Sequence, residues 1–212
     1  EPDTRWSYSA GLDVLGAVIE IASGMSFEAF LQKRLFGPLG MTSSWFVVPQ
    51  SQLPRLTTNY GIFKDQKFPI DPPGDSAFAD PSMIPLGGGG LVMSPRDYDR
   101  FLLMLAGKGK VGRTRVMKEE TARLGMSNLL LPGVSTENTY VTGQGFGAGG
   151  RVTLSTDPLG SGIGTFGWAG AAGTVAWVDP TKGVRASGYV QFMPGEALPF
   201  SKDFGKSVYA SL

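Results

Sequence analysis

The 212 residues include no histidine and no cysteine. Without imidazole or thiol, the chain cannot itself furnish a Ser-His-Asp triad, a cysteine nucleophile, a disulfide or the usual zinc ligand set. No apolar run approaches the ~20 residues needed to cross a bilayer, so no membrane span is expected. An excess of one charge is missing too: 19 Lys and Arg stand against 18 Asp and Glu, a net +1, and no stretch of five or six like charges occurs. Neither nucleic acid nor an anionic membrane surface is therefore an expected partner. The start lacks the basic, apolar and small-residue pattern of a signal peptide, and Glu1-Pro2-Asp3-Thr4-Arg5 reads as the interior of a protein. The compartment is not written in the sequence, since the absence of cysteine suits any.

What is present is the composition of a globular chain, 42% hydrophobic and 17% charged, with 31 Gly and 15 Pro implying many turns and caps. Leu12, Leu15, Val18, Ile19 and Ala22 recur at three- and four-residue spacing, which predicts an inward-facing helix over about 10–23 stopped by Gly24. Ser26 has the place of an N-cap, with Phe27, Phe30, Leu31 and Leu35 as the next stripe and Gly37-Pro38 as its end. From Thr42 to about Leu86 the pattern dissolves, predicting a long surface excursion with a short hairpin at 59–68, the kind of segment that walls a pocket. Ser94-Pro95-Arg96-Asp97 opens another helix, and 118–124 a short one. Beyond about Gly143 strands are expected at 145–154, 164–168, 173–178 and 184–192. Phe200, Phe204, Val208 and Leu212 then mark a final helix. Gly87 to Gly90 lack the following G-K-[ST] of a phosphate loop, so close backbone packing is their better explanation.

Four segments in order carry a resemblance: T4-R-W-S-Y8-S-A-G-L-D-V-L-G16, L35-F-G-P-L-G-M41, G87-G-G-G-L-V-M-S-P-R-D97 and G167-W168-A-G170-A-A-G-T-V-A-W-V-D-P180. Together they resemble the C-terminal half of serine β-lactamase-like hydrolases, which share the fold of class C β-lactamases and penicillin-binding proteins, and within them most of all the family VIII carboxylesterases. The resemblance spans nearly the whole chain. It implies an α+β fold, with a mostly helical region over 1–143 carrying a tyrosine motif and the C-terminal strands and last helix of the α/β region over 144–212.

In that family a Ser and a Lys three apart face the site from one buried helix, and a tyrosine completes the triangle. A phenol titrates at ~10, a value that neighbouring ammonium groups lower, so it can take the serine proton and pass one to the leaving group. By resemblance the tyrosine is Tyr8. The motif is often Tyr-x-Asn, and Ala10 replaces its amide, which argues against a β-lactamase more than against an esterase. On the pocket strand the motif is Trp168-Ala169-Gly170. Trp168 stands where penicillin-recognising members carry a cation, so a small neutral ester is the expected substrate. Gly170 admits the ligand, and the Ala171 backbone N–H is one of two expected oxyanion donors, the other being that of the nucleophilic serine. No metal or other cofactor is implied.

None of the nine lysines has a Ser or Thr three residues before it, so the Ser-x-x-Lys pair is absent from this sequence. Ser9 and Ser26 are not candidate nucleophiles. The expected partner is a complementary N-terminal fragment carrying Ser-x-x-Lys, without which the chain should expose a sheet edge and half a pocket and fold poorly. Trp6, Trp45 and Trp177 are core or wall residues by default. A β-lactamase, D-peptidase, amidase or acyltransferase of the same fold, and a non-catalytic binding module that lost its nucleophile, are the alternatives.

Overall fold

The computed structural model describes residues 4–212, so Glu1, Pro2 and Asp3 lie outside the described residues. Helix α1 spans Gly11–Ser23 and stops where Gly24 takes φ 66° and donates its N–H to the Glu20 carbonyl at 2.9 Å. The Ser26 hydroxyl then accepts the Ala29 N–H at 3.3 Å and opens α2 (Phe27–Leu31). The expected stop at Gly37-Pro38 is overshot. A single π turn over Gln32–Phe36 leads into α3 (Gly37–Leu39), where Pro38 falls in the first turn and needs no N–H partner.

Strand β1 (Ser44–Trp45) follows, then the hairpin β2 (Asn59–Phe63) and β3 (Gln66–Asp71), close to the hairpin read from sequence. The excursion between Thr42 and Leu86 is not all surface, because Phe46 and Val48 are buried. Strand β4 (Val92–Met93) pairs with β1, and α4 (Pro95–Ala106) starts at the expected cap, with the Asp97 N–H donating to Ser94 Oγ at 3.2 Å. The buried Asp97 carboxylate accepts the Ser43 N–H at 2.6 Å and the Ser44 hydroxyl at 2.8 Å, fastening β1 to the start of α4. A two-stranded unit, β5 (Lys110–Val111) and β6 (Thr114–Arg115), leads to α5 (Glu119–Gly125).

The single strand expected over 145–154 is instead a tight hairpin, β7 (Gly145–Phe146) and β8 (Arg151–Val152). The chain reverses through Gly149, whose φ of 87° breaks extended geometry. Strands β9 (Phe166–Ala169), β10 (Val175–Asp179) and β11 (Val184–Gly188) complete an antiparallel sheet in the order β11-β10-β9-β8-β7. β12 (Phe192–Met193) leaves that sheet to pair in parallel with β2. The final helix α6 covers Phe200–Ala210, so Leu212 lies past its end and is exposed rather than packed on the sheet.

The core lies on one face of the sheet. Phe36, Leu39, Met41, Leu102, Met104 and Leu105 from the helical region pack with Ala176 and Val178 of β10. Trp177, between those two, points to the other face and meets Phe204 and Tyr209 of α6 at 5.4 and 6.0 Å between ring centroids. The inward-facing stripe expected on α1 is the clearest departure. Leu12, Val14, Leu15, Val18 and Ile21 are exposed, Ile21 by 86%, and Gly16 is the one buried residue of the helix.

Candidate active site

Tyr8 and Trp168, 160 positions apart in sequence, are stacked, with ring centroids 5.9 Å apart and planes 10° from parallel. Trp168 is positioned by β9, where it pairs with Ala176 of β10. The alternation of the strand puts Phe166 and Trp168 on the core side and Gly167 on the α6 side. Tyr8 reaches it because the chain before α1 runs alongside residues near Ser135. Arg5 bridges Ser135 in parallel, and the Trp6 N–H donates to the Ser135 carbonyl at 2.8 Å.

The stack belongs to a larger aromatic cluster. Trp6 contacts Tyr8 at 6.0 Å and Phe146 at 5.0 Å, Phe146 meets Trp168 edge-on at 5.6 Å, and Tyr140 stands 83° to the Tyr8 ring at 5.8 Å. Such pairs contribute about 0.5–1.5 kcal/mol each beyond their area burial. The cluster therefore fixes the Tyr8 ring while leaving the residue 59% exposed. Trp6 is thus a wall of this site, one of the two default roles. No motif or spacing in the sequence marks Tyr140 or Phe146. Tyr140 sits in a loop without periodicity, and Phe146 looked like one more strand residue.

Gly170 and Ala171 stand at the tip of the β9–β10 hairpin. The Gly170 N–H donates to the Thr174 carbonyl at 2.8 Å and the Gly173 N–H to the Gly170 carbonyl at 2.9 Å, which closes the turn. A Cβ on Gly170 would fall 2.4 Å from Thr174 Oγ1, so the turn has no room for one in its present form. Ala171 is exposed. Its carbonyl accepts the Gly195 N–H at 2.9 Å, whereas its own N–H makes no hydrogen bond among the described residues. That unused donor at the end of the Trp168 strand has the character an oxyanion contact requires.

The glycine run fixes the other half of the site. A Cβ on Gly87 would lie 2.0 Å from the Leu12 carbonyl oxygen, and the Gly88 N–H donates to Asp13 Oδ1 at 2.7 Å. These glycines let the loop press against the first turn of α1 and hold the helix that follows Tyr8, which is the close packing expected of them. Ala10, at the position of the family amide, is the N-cap of α1 and makes no side-chain cap bond. A separate cavity of about 160 Å³ lies on the α6 side of the sheet among Gln144, Arg151, Thr165, Trp177 and Tyr209, and neither Tyr8 nor Trp168 lines it.

Comparison with known proteins gives three matches of note and a family model. The model described as Beta-lactamase matches residues 1–204. Protein Rv1367c of Mycobacterium tuberculosis (strain ATCC 25618 / H37Rv) is 31% identical over 205 residues, 92% of this chain and 50% of that protein. Esterase EstB of Burkholderia gladioli is 30% identical over 204 residues, 86% of this chain and 48% of that protein. The solved structure of EstCE1, described as a hydrolase with promiscuous acyltransferase activity, superposes with a TM-score of 0.82 at 24% identity. That superposition covers 99% of this chain and 57% of that one, and it shows a shared fold. The chain spans about half the length of the curated relatives it matches.

Proposed function

The chain belongs to the Beta-lactamase family, and from that premise we propose that it is the tyrosine-bearing part of a serine carboxylesterase that cleaves small neutral esters through an acyl-enzyme. The observation that carries the reading is the stack of Tyr8 on Trp168, which brings the proposed proton shuttle and the pocket strand into one site.

A serine hydroxyl adds to the ester carbonyl as its proton passes to Tyr8, which has handed its own phenolic proton to the neighbouring lysine, and the carbonyl oxygen becomes an oxyanion held by the Ala171 N–H and the serine's own N–H. Collapse of the intermediate expels the alcohol, which receives the proton from Tyr8, and leaves the acyl group on serine. Water then repeats the sequence and releases the acid. The four rings clustered with Tyr8 offer no cation, which suits a neutral ester better than an anionic β-lactam. Resolution of the same acyl-enzyme by an alcohol instead of water is acyl transfer. The apolar cluster favours that second reading, because it offers an organic acceptor a surface to lie on.

The serine and its lysine come, on this reading, from a complementary segment outside the 212 residues. Two observations support such a segment: the bare apolar face of α1, which begins three residues after Tyr8, and the half-length match to the relatives. The completed enzyme, meaning this chain with that segment, should hydrolyse p-nitrophenyl esters faster than a chromogenic cephalosporin, and a fluorophosphonate should label one serine in the added segment. Tyr8→Phe should lower ester turnover by at least ~10² while leaving the melting temperature near that of wild type. Retained turnover in Tyr8→Phe removes the residue from the mechanism, and absence of any labelled serine supports a non-catalytic binding module instead.

A further inference from the structure

Tyr140 is 78% exposed, yet the turn that presents it is firmly built. The Thr139 hydroxyl donates to the Thr136 carbonyl at 2.6 Å, the Thr142 hydroxyl lies 2.9 Å from the Thr139 carbonyl, and the Val141 N–H donates to Thr139 Oγ1 at 3.2 Å. Asn138 takes φ 59°, the left-handed conformation that asparagine tolerates better than most residues. Val141 is buried to 1% exposure, so the turn is plugged into the body of the protein and Tyr140, the next residue back, is turned outward beside Tyr8. A packed anchor, three threonine bonds and a ring-to-ring contact together hold one large aromatic side chain at the mouth of the site.

We propose that Tyr140 is a specificity-determining residue. Its ring stands against Tyr8 on the exposed side of the site and selects esters whose alcohol part is flat and aromatic. The proposal rests on the ester-cleaving reading of the Tyr8 site. In that chemistry Tyr8 hands its proton to the departing alcohol oxygen, so a ring in contact with Tyr8 borders the alcohol part, whereas Ala171 borders the carbonyl. Residues Asn138 to Gly143 are all uncharged, so this stretch of the turn offers aromatic surface rather than charge. An aromatic contact of this kind corresponds to a preference of about two- to twelvefold.

The test compares phenyl butyrate with ethyl butyrate in the completed enzyme, wild type against Tyr140→Ala and Tyr140→Phe. Comparing the ratio of kcat/KM for the two esters across variants cancels the intrinsic reactivity of the phenyl ester. Tyr140→Ala should lower the phenyl-to-ethyl ratio about two- to twelvefold, mostly through KM, and Tyr140→Phe should keep it. An unchanged ratio in Tyr140→Ala, or an equal loss in Tyr140→Phe, overturns the proposal. Benzyl propyl ketone and dipropyl ketone replace the ester oxygen by CH₂ and allow binding to be read by NMR titration without turnover. If neither ester is hydrolysed, the proposed function fails, and the ketones still decide the role of Tyr140. Selective weakening of benzyl propyl ketone by Tyr140→Ala supports the proposal, and equal effects on both ketones overturn it.

Discussion

Replacing Asp179 by asparagine tests how the sheet that carries Trp168 is held. Asp179 is fully buried at the end of β10. Its Oδ1 accepts the Thr181 N–H and hydroxyl at 3.0 and 2.8 Å and the Lys182 N–H at 3.0 Å. Its Oδ2 accepts the Gly162 N–H at 2.8 Å and the Tyr209 hydroxyl at 3.0 Å. Burial alone would push the carboxyl up, but these donors outweigh it and hold the group at about 2 against an ordinary 3.8. Because the folded value lies below the unfolded one, the stabilisation is complete above the unfolded value and is lost as pH falls through the folded one. It amounts to about 2 kcal/mol at pH 7 and about 1 kcal/mol at pH 3. In Asp179→Asn the amide oxygen can keep the three Oδ1 bonds, and the Tyr209 hydroxyl can turn round to accept from the new NH₂, but the Gly162 N–H then faces a donor. The loss of charge-assisted bonds and one orphaned N–H should cost about 2–4 kcal/mol at pH 7. Urea unfolding of the completed enzyme, followed by circular dichroism at pH 7, 4 and 3, reads both effects. The gap between wild type and variant should narrow by about 1 kcal/mol between pH 7 and pH 3. A gap under about 0.5 kcal/mol at pH 7, or one that does not change with pH, refutes the reasoning.

Two further outcomes follow from the turn and from α1. Gly170→Ala should lower stability by about 1–3 kcal/mol and ester turnover with it, because the new Cβ meets Thr174 Oγ1 and displaces the Ala171 N–H. Adding Thr174→Ala should recover most of both, and a double variant no better than Gly170→Ala rejects that contact as the cause, as thermal melts and p-nitrophenyl ester rates would show. The bare helix predicts opposite signs in two settings. In the 212-residue chain alone, Val18→Lys with Ile21→Lys should reduce self-association seen by light scattering. In the completed enzyme the same pair should destabilise by several kcal/mol by burying charge, and indifference there means that nothing covers α1.

Features fixed by neighbouring residues were legible. Ser26 and Ser94 read as caps and serve as caps, and Gly24 stops α1 as its position suggested. Features fixed by distant partners were not. The spacing of Leu12, Leu15 and Val18 announces a helix and its apolar face, but periodicity carries no information on what covers that face, and here the three residues are left 40%, 49% and 50% exposed. Alternation over 145–154 could not reveal a reversal at Gly149, since both arms of a short hairpin keep the same period as one strand. The pairing of Tyr8 with Trp168 came from the resemblance of ordered motifs, and Tyr140 was invisible to it because a threonine-pinned turn leaves no periodic trace.

The absence of histidine also bears on why Tyr8 is so closely walled. An imidazole can receive a proton on one nitrogen while the other is held by an orienting partner, so its position and its chemistry are carried by different atoms. A phenol has one oxygen for both tasks. On the proposed mechanism that oxygen must reach the serine hydroxyl and then the leaving alcohol, and no second polar atom is left to anchor the ring. Orientation must come from the ring itself, and Tyr8 has three ring contacts of different inclination: Trp168 at 10°, Trp6 at 48° and Tyr140 at 83°. Contacts from a parallel and a perpendicular neighbour restrain tilt and rotation together, which one stacked partner would not. Tight positioning is where a catalytic group gains much of its rate. On the proposed mechanism the aromatic cluster would supply to Tyr8 what a hydrogen-bonded carboxylate supplies to a histidine.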